Sequence, residues 1–331
     1  MKIGPIDIDK PICLAPMEDV SDLPFRILCK EQGADLVYTE FTNCEALIRN
    51  VKDAQRKLEL SDLERPVAIQ LYGSEESSME EATRRATDAG ADFIDINCGC
   101  WVKKVAMRGD GAGLLRDLCK FKSVVQSVQR GTHLPVTVKT RLGWDHESIV
   151  IEDVARMLCD IGISTLTVHC RTRKQGYTGN ADWSWLSKIK EASDINLIAN
   201  GDINSPEDAA QCFELGADGV MIGRGAIHSP WIFKHVRHYI ETGEILPDLT
   251  LEERVTMCIR HLTDSAGYRG DRRGCMTFRK HYAGYLKGVH NIKQLRVELM
   301  QYEEVAPIIE RLNNFVDQYQ AEEETAECPA L

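Results

Sequence analysis

The chain has 331 residues, 43% of them hydrophobic, enough to bury one large core and a smaller domain besides. No run approaches the roughly 20 apolar residues of a membrane span, and residues 1–10 lack the apolar core of a secretory signal, so a cytoplasmic protein is expected. A net charge of −11 weighs against a uniformly basic nucleic-acid binder, and the 12 cysteines, of which only Cys98 and Cys100 stand close together, fit neither a disulfide framework nor a metal-site spacing.

Short apolar, β-branched segments recur at 11–15, 35–40, 66–71, 92–96, 135–139, 164–169, 195–199 and 218–222, with helical periodicity between them. Residues 75–90 carry Met79, Ala82, Ala86 and Ala89 on one face, and 205–216 opens with Ser205 as N-cap and Pro206 at the first helical position. Gly90, Gly162 and Gly216 stand where helices should end, where the left-handed conformation favours glycine. Strand and helix alternating in this way predict an α/β fold, a parallel (β/α)8 TIM barrel over residues 1–242.

The turn-rich stretch 243–249 is expected to be a linker. Beyond it, 250–266, 272–287 and 302–319 have helical periodicity and no convincing strand separates them, which predicts a small all-helical domain over 250–320. The run from Gly270 to Gly274 is expected to be a turn, and residues 321–331 an acidic, disordered tail. Residues 254–296 carry ten Lys or Arg against two acids, whereas 297–331 carry nine acids against one Arg, so a cationic face can coexist with the acidic total.

In parallel barrels the reactive residues lie where the strands end. Polar residues fall at those ends here: Met17, then Gln70, Asn97 with Cys100, Lys139 with Arg141, His169 with Arg171, Asn200 with Asp202, and Gly223 with Arg224. Cys100 sits on a turn just ahead of Lys103 and Lys104, and a neighbouring cation is expected to lower a thiol from its free value near ~8.5. Asn200-Gly201-Asp202 and Gly223-Arg224-Gly225 can present backbone N–H groups to a phosphate, with Arg224 pairing to it, which predicts a mononucleotide site. Gly109-Asp110-Gly111-Ala112-Gly113 has the wrong spacing for a dinucleotide fingerprint.

Asn97-Cys98-Gly99-Cys100-Trp101-Val102-Lys103-Lys104 resembles the active-site loop of the tRNA-dihydrouridine synthases, Asn-x-Gly-Cys-Pro followed by a basic pair, with Trp101 in place of the usual proline. The resemblance extends through Ala15-Pro16-Met17-Glu18-Asp19-Val20-Ser21-Asp22, Gln70, Lys139-Thr140-Arg141, His169-Cys170-Arg171-Thr172-Arg173, Asn200-Gly201-Asp202 and Ile222-Gly223-Arg224, and so covers nearly the whole chain. It implies reduction of tRNA uridines to 5,6-dihydrouridine by FMN, with NADPH or NADH as reductant, hydride passing from flavin N5 to C6 and a proton from Cys100 to C5.

The same resemblance implies that Pro16, Met17, Glu18, Gln70, Lys139, His169, Asn200, Gly201, Asp202, Gly223 and Arg224 hold the cofactor. It puts Asn97, Arg141, Arg171 and Tyr177 around the base, with Lys103 and Lys104 near it. Arg272, Arg273, Arg279, Lys280 and Lys287 of the helical domain would meet phosphates. Trp101 would stack on a base or pack against the barrel. No metal, membrane or protein partner is implied. Two other readings compete: a flavin barrel acting on a free pyrimidine such as dihydroorotate, which needs no cationic helical domain, and a barrel that binds RNA without turnover, against which Cys100, Lys139 and His169 together speak.

Overall fold

The computed structural model describes residues 1–290 and 292–327. Eight parallel strands form its centre: β1 Ile12–Leu14, β2 Val37–Tyr38, β3 Val67–Tyr72, β4 Phe93–Cys98, β5 Val136–Arg141, β6 Thr165–His169, β7 Asn196–Asn200 and β8 Gly219–Ile222. Their order in the sheet is β1-β8-β7-β6-β5-β4-β3-β2. A parallel bridge between Cys13 and Leu36, with Leu14 N–H donating to Leu36 O at 2.9 Å, joins β1 to β2 and closes the barrel. A further short strand, Thr42–Asn43, pairs with the end of β3.

Helices Leu23–Glu31, Glu76–Asp88, Leu118–Gly131, Ile151–Asp160, Trp185–Ala192, Pro206–Glu214 and Ile232–Thr242 follow strands as the sequence pattern expects. After β2 the place of a full helix is taken by two single turns, Cys44–Ile48 and Lys52–Arg56. Ser205 and Asp208 form a reciprocal capping box around Pro206, and Asp22 caps its helix by accepting Phe25 N–H at 3.3 Å. Gly90, Gly162 and Gly216 all have positive φ, as helix-ending glycines should.

Strand register stacks the inward residues in tiers, because partners in a parallel pair point to the same side. Gln70, Asp95, Thr137 and Thr165 are successive partners on β3 to β6. Asn97, Lys139 and Thr167 form the tier above, and Arg141, His169 and Asn200 the next, nearest the carboxyl ends. At the amino ends an antiparallel hairpin, Lys2–Ile3 with Ile6–Asp7, adds Ile3 to a buried cluster of Cys13, Leu36, Tyr38, Ala68 and Phe93. The barrel is therefore apolar at one end and polar at the other.

The chain divides into two compact units, one of residues 1–226 with 231–245, the other of residues 227–230 with the chain from 246 onward. The second is helical: Leu251–Arg269, Asp271–Phe278, Tyr282–Tyr285, Ile292–Leu299 and Val305–Glu327. It departs from the sequence reading in three places. The expected turn at 270–274 shrinks to Gly270 alone, at φ +83°, since Asp271 already starts a helix. Ile292–Leu299 is an unexpected helix, and the last helix runs to Glu327 where a disordered tail was expected from 321. The final four positions of that tail lie outside the described residues. No helix among the described residues is long and apolar enough to cross a membrane.

Candidate active site

Cys100 lies on the loop beyond β4, half-buried, and its backbone is held from two directions. Asn97 Oδ1 accepts Gly99 N–H at 3.1 Å and Cys100 N–H at 2.9 Å. From the other side Ala112 N–H donates to Cys100 O at 3.2 Å, and a Cβ on Gly111 would come within 2.9 Å of the Cys100 Cβ, at a φ of +54° that also favours glycine. The glycine run that failed as a dinucleotide motif is thus a backbone seat for the thiol loop. Burial pushes the Cys100 thiol up; a bond from the Val102 backbone and the Arg141 charge pull the other way and are outweighed. The expectation of a lowered thiol is corrected accordingly: Lys103 and Lys104 are exposed on the short helix Lys103–Ala106, and desolvation outweighs the cations.

Lys139 Nζ donates to Asn200 Oδ1 at 2.9 Å, and burial pushes its ammonium down to about 8. His169 is driven well below the usual imidazole range by burial and by Arg141, Lys139, Arg171 and Arg224, so its ring is neutral. A Cβ on Gly201, φ +110°, would stand 2.8 Å from the His169 ring, so glycine is required for the β7 loop to pass this close. Met17 Sδ would lie 3.6 Å from a Cβ on Gly223. Pro16 and Met17 are half-buried; Glu18 is exposed and paired with Lys57 at 2.5 Å.

Several expected contacts prove to be internal ties. Arg171, expected at the RNA, is 2% exposed; its guanidinium grips Asp202 at 2.9 and 2.5 Å and donates to Gly179 O at 2.5 Å, so it cannot reach a nucleic acid. Asp202, expected beside a phosphate, is the counter-ion of Arg171 and of Arg224, the latter at 2.7 Å. Only its backbone, at φ +58°, is suited to face an anion. Arg141, expected on a uracil carbonyl, joins the loops after β4 and β6 by donating to Gly99 O at 2.9 Å, Thr172 O at 3.0 Å and Gly176 O at 2.9 Å. Gln70 and Asn97 are bonded to each other, Asn97 Nδ2 donating to Gln70 Oε1 at 2.9 Å.

Tyr177, 52% exposed, has the Arg224 guanidinium 4.8 Å from its ring centre and meets Trp101 edge-on at 5.5 Å. Trp101 itself packs over Gly176, which a Cβ would bring within 3.0 Å of the indole, while 38% of the residue stays open. Arg272, Arg273 and Lys287 are exposed on the helical unit, Arg279 and Lys280 are half-buried, and Arg272 pairs with Glu303 at 2.9 Å.

Two features escaped the sequence reading. Asp95, fully buried on β4, accepts from Gln70 and Thr137; the signal was a lone acid two positions before Asn97, on the same face of an otherwise apolar strand. Trp144, on the loop after β5, has the guanidinium groups of Arg116 and Arg173 at 4.9 and 4.5 Å from its ring, and nothing in the spacing of those residues announces it.

A closed parallel barrel with a thiol, a half-buried ammonium and a neutral imidazole gathered at the carboxyl ends of its strands defines an α/β-barrel enzyme. The family model described as Dihydrouridine synthase (Dus) matches residues 13–321. A tRNA-dihydrouridine synthase B of Xanthomonas axonopodis pv. citri is 40% identical over 288 residues, 87% of either chain, and that of Pseudomonas aeruginosa is 36% identical over 299 residues, 90% of either chain. The chain belongs to the dihydrouridine synthase family and is an oxidoreductase of that kind. Among solved structures, morphinone reductase in complex with tetrahydroNAD aligns with a TM-score of 0.53 at 14% identity, over 75% of this chain and 91% of that one. A variant of NCR from Zymomonas mobilis aligns at 0.52 and 18%, over 75% and 92%. Likeness at such identities speaks for the barrel fold alone.

Proposed function

We propose that this protein reduces uridines of tRNA to 5,6-dihydrouridine, with FMN held at the barrel mouth and NADPH or NADH as reductant. The observation that supports it most directly is the Cys100 thiol, raised by burial and held by its backbone at the end of β4. A thiol that stays protonated near neutral pH is suited to give a proton to a developing carbanion.

The donor set fits FMN. Gly201 and Gly223 leave backbone free of side chains where β7 and β8 end, beside Arg224, as a phosphate requires. Lys139 offers a half-buried ammonium whose hydrogen bond is to a neutral amide, suited to the electron-rich edge of a reduced ring system. Pro16, Met17 and His169 would border that ring, and Gln70 would support it from the tier below. When bound, FMN supplies hydride chemistry toward C6 of the uracil. Cys100 delivers the proton to C5, Lys139 and the neutral His169 stabilise charge without competing for that proton, and Asn97 and Arg141 hold the loops that carry the thiol and Tyr177.

The target base must leave its stack to reach a barrel mouth, which is easiest for a loop nucleotide. Tyr177 and Trp101 offer aromatic surface for it. Lys103, Lys104, Arg116, Arg173 and Lys174 would meet phosphates on the barrel, with Arg272, Arg273, Arg279, Lys280 and Lys287 on the helical unit. The test is NADPH oxidation by the flavin-loaded protein in the presence of tRNA, of free uridine and of dihydroorotate or orotate. Turnover with tRNA alone is expected, and turnover with a free pyrimidine but not with tRNA would overturn the proposal.

A further inference from the structure

Asp95 is a carboxylate at zero exposure in the middle of β4. Such a group costs several kcal/mol unless it is satisfied, and its partners are neutral: Gln70 Nε2 donates to Oδ2 at 2.6 Å and Thr137 Oγ1 to Oδ1 at 2.5 Å. Burial pushes it up to about 6, against the pull of those two bonds and of Lys139. A site this expensive, readily replaced by an apolar residue if only packing mattered, calls for a role.

The bonds leading away from it have one direction. Both Asp95 oxygens accept, Oδ2 from Gln70 and Oδ1 from Thr137, so Gln70 turns its N–H2 toward Asp95 and its Oε1 away. Oε1 then requires a donor, and Asn97 Nδ2 supplies it at 2.9 Å. That leaves Asn97 Oδ1 facing the loop, where it accepts the backbone N–H groups of Gly99 and Cys100. Turning either amide over would set two acceptors or two donors against each other in a buried place, at about 1–3 kcal/mol for each group left unmet. Resting on the reading of Cys100 as proton donor, we propose that Asp95 is a positioning residue, fixing through Gln70 and Asn97 the polarity of the amide chain that holds the Cys100 backbone and hence the direction in which the thiol is presented.

The test is a double-mutant cycle on the full chain with Asp95→Ala, Asn97→Ala and the pair together, plus Asp95→Asn, which keeps an acceptor toward Gln70. Two quantities are read: single-turnover uridine reduction by flavin-loaded protein at saturating tRNA, and the rate of iodoacetamide alkylation at Cys100. The alkylation is resolved by peptide mass spectrometry because Cys119 and Cys159 are more exposed than the half-buried Cys100.

Each single alanine variant is expected to slow turnover by about tenfold or more and to change the Cys100 alkylation rate by a similar factor, the scale of one buried hydrogen bond. The pair should be no worse than the poorer single variant, and Asp95→Asn should restore most of both. Losses that multiply in the pair, or an Asp95→Asn variant as impaired as Asp95→Ala, overturn the proposal. Should Asp95→Ala not fold, Gln70→Met cuts the chain one link further on and the same outcomes decide. Intact turnover in Cys100→Ala would instead remove the proton-donor reading, while the alkylation rates still report whether Asp95 governs the loop.

Discussion

Lys139 on β5 reaches past β6 to Asn200 on β7, Nζ to Oδ1 at 2.9 Å, and Asn200 is itself locked by donating Nδ2 to the Met221 carbonyl at 2.7 Å. The lock decides which end of the amide Lys139 meets, so the ammonium is oriented by the backbone of β8 through a single side chain.

Lys139 is half-buried, and desolvation of its ammonium lowers its pKa to about 8 from 10.5. Between these values the unfolded chain binds the proton more tightly than the folded one, so stability rises as pH climbs from about 8 toward 10.5. Lys139→Met removes that partly desolvated charge. In the cofactor-free protein it should raise stability at pH 7 by on the order of 2–3 kcal/mol, with the gap closing above about pH 10, and it should cost flavin-loaded turnover roughly a hundredfold. Thermal denaturation across pH, with and without added FMN, checks the first part, and tRNA-driven NADPH oxidation the second.

Cys100→Ala should keep the yellow flavin and its reduction by NADPH while losing dihydrouridine formation by about 10²–10⁴-fold, the usual reach of a positioned acid. Because burial holds the thiol above its free value near ~8.5, Cys100 ionisation should take nothing from the wild-type rate through pH 8, and a fall that sets in around pH 8 is that of the Lys139 ammonium, which titrates at about 8. Nucleoside mass spectrometry of tRNA after reaction, over a pH series, reads both effects.

The barrel was legible because its strands repeat an apolar pattern with glycine and N-cap punctuation, signals that rest on residues adjacent in sequence. The rim was legible for the same reason, since strand ends can be counted. What each rim arginine does was not. Arg141 and Arg171 look alike in sequence, yet the acid that neutralises Arg171 stands 31 positions away, just beyond the end of β7, and only the pairing of β6 with β7 brings it near. Asp95 stayed hidden because a single acid in a strand shows its meaning only when register puts Gln70 and Thr137 beside it. The thiol's direction of shift depends on burial, which residue spacing near Lys103 and Lys104 does not encode.

The phosphate contacts proposed on the barrel and on the helical unit can be told apart by salt. Arg116 lies against Trp144, whereas the Arg272 charge is already met by Glu303 at 2.9 Å. Arg116→Glu should therefore lower the slope of log Kd against log salt by roughly 0.7–0.9 for each phosphate it no longer neutralises, and reversing Arg272 and Arg273 together should do so chiefly through Arg273. Filter binding of tRNA between low and physiological salt checks this, with flavin reduction by NADPH unchanged in both variants.

The helical unit carries its own acid sensitivity. His261 and His281 are buried with ring centres 4.6 Å apart, and His261 Nδ1 is 3.0 Å from the Tyr285 hydroxyl. Burial drives His261 well below its usual range, with the His281 and Lys280 charges adding to it, and drives His281 down to about 3, helped by Lys280 and His228. Both rings are neutral when folded, whereas in the unfolded chain they take protons below about 6.5. Their contribution is thus fully present above pH 6.5 and is lost as pH falls toward the folded values, by up to about 1.4 kcal/mol per histidine per pH unit. Hydrogen exchange of the full chain, corrected for intrinsic rates, should show the helix Leu251–Arg269 opening more readily at pH 5 than at pH 7, and His281→Gln should reduce that difference by about half.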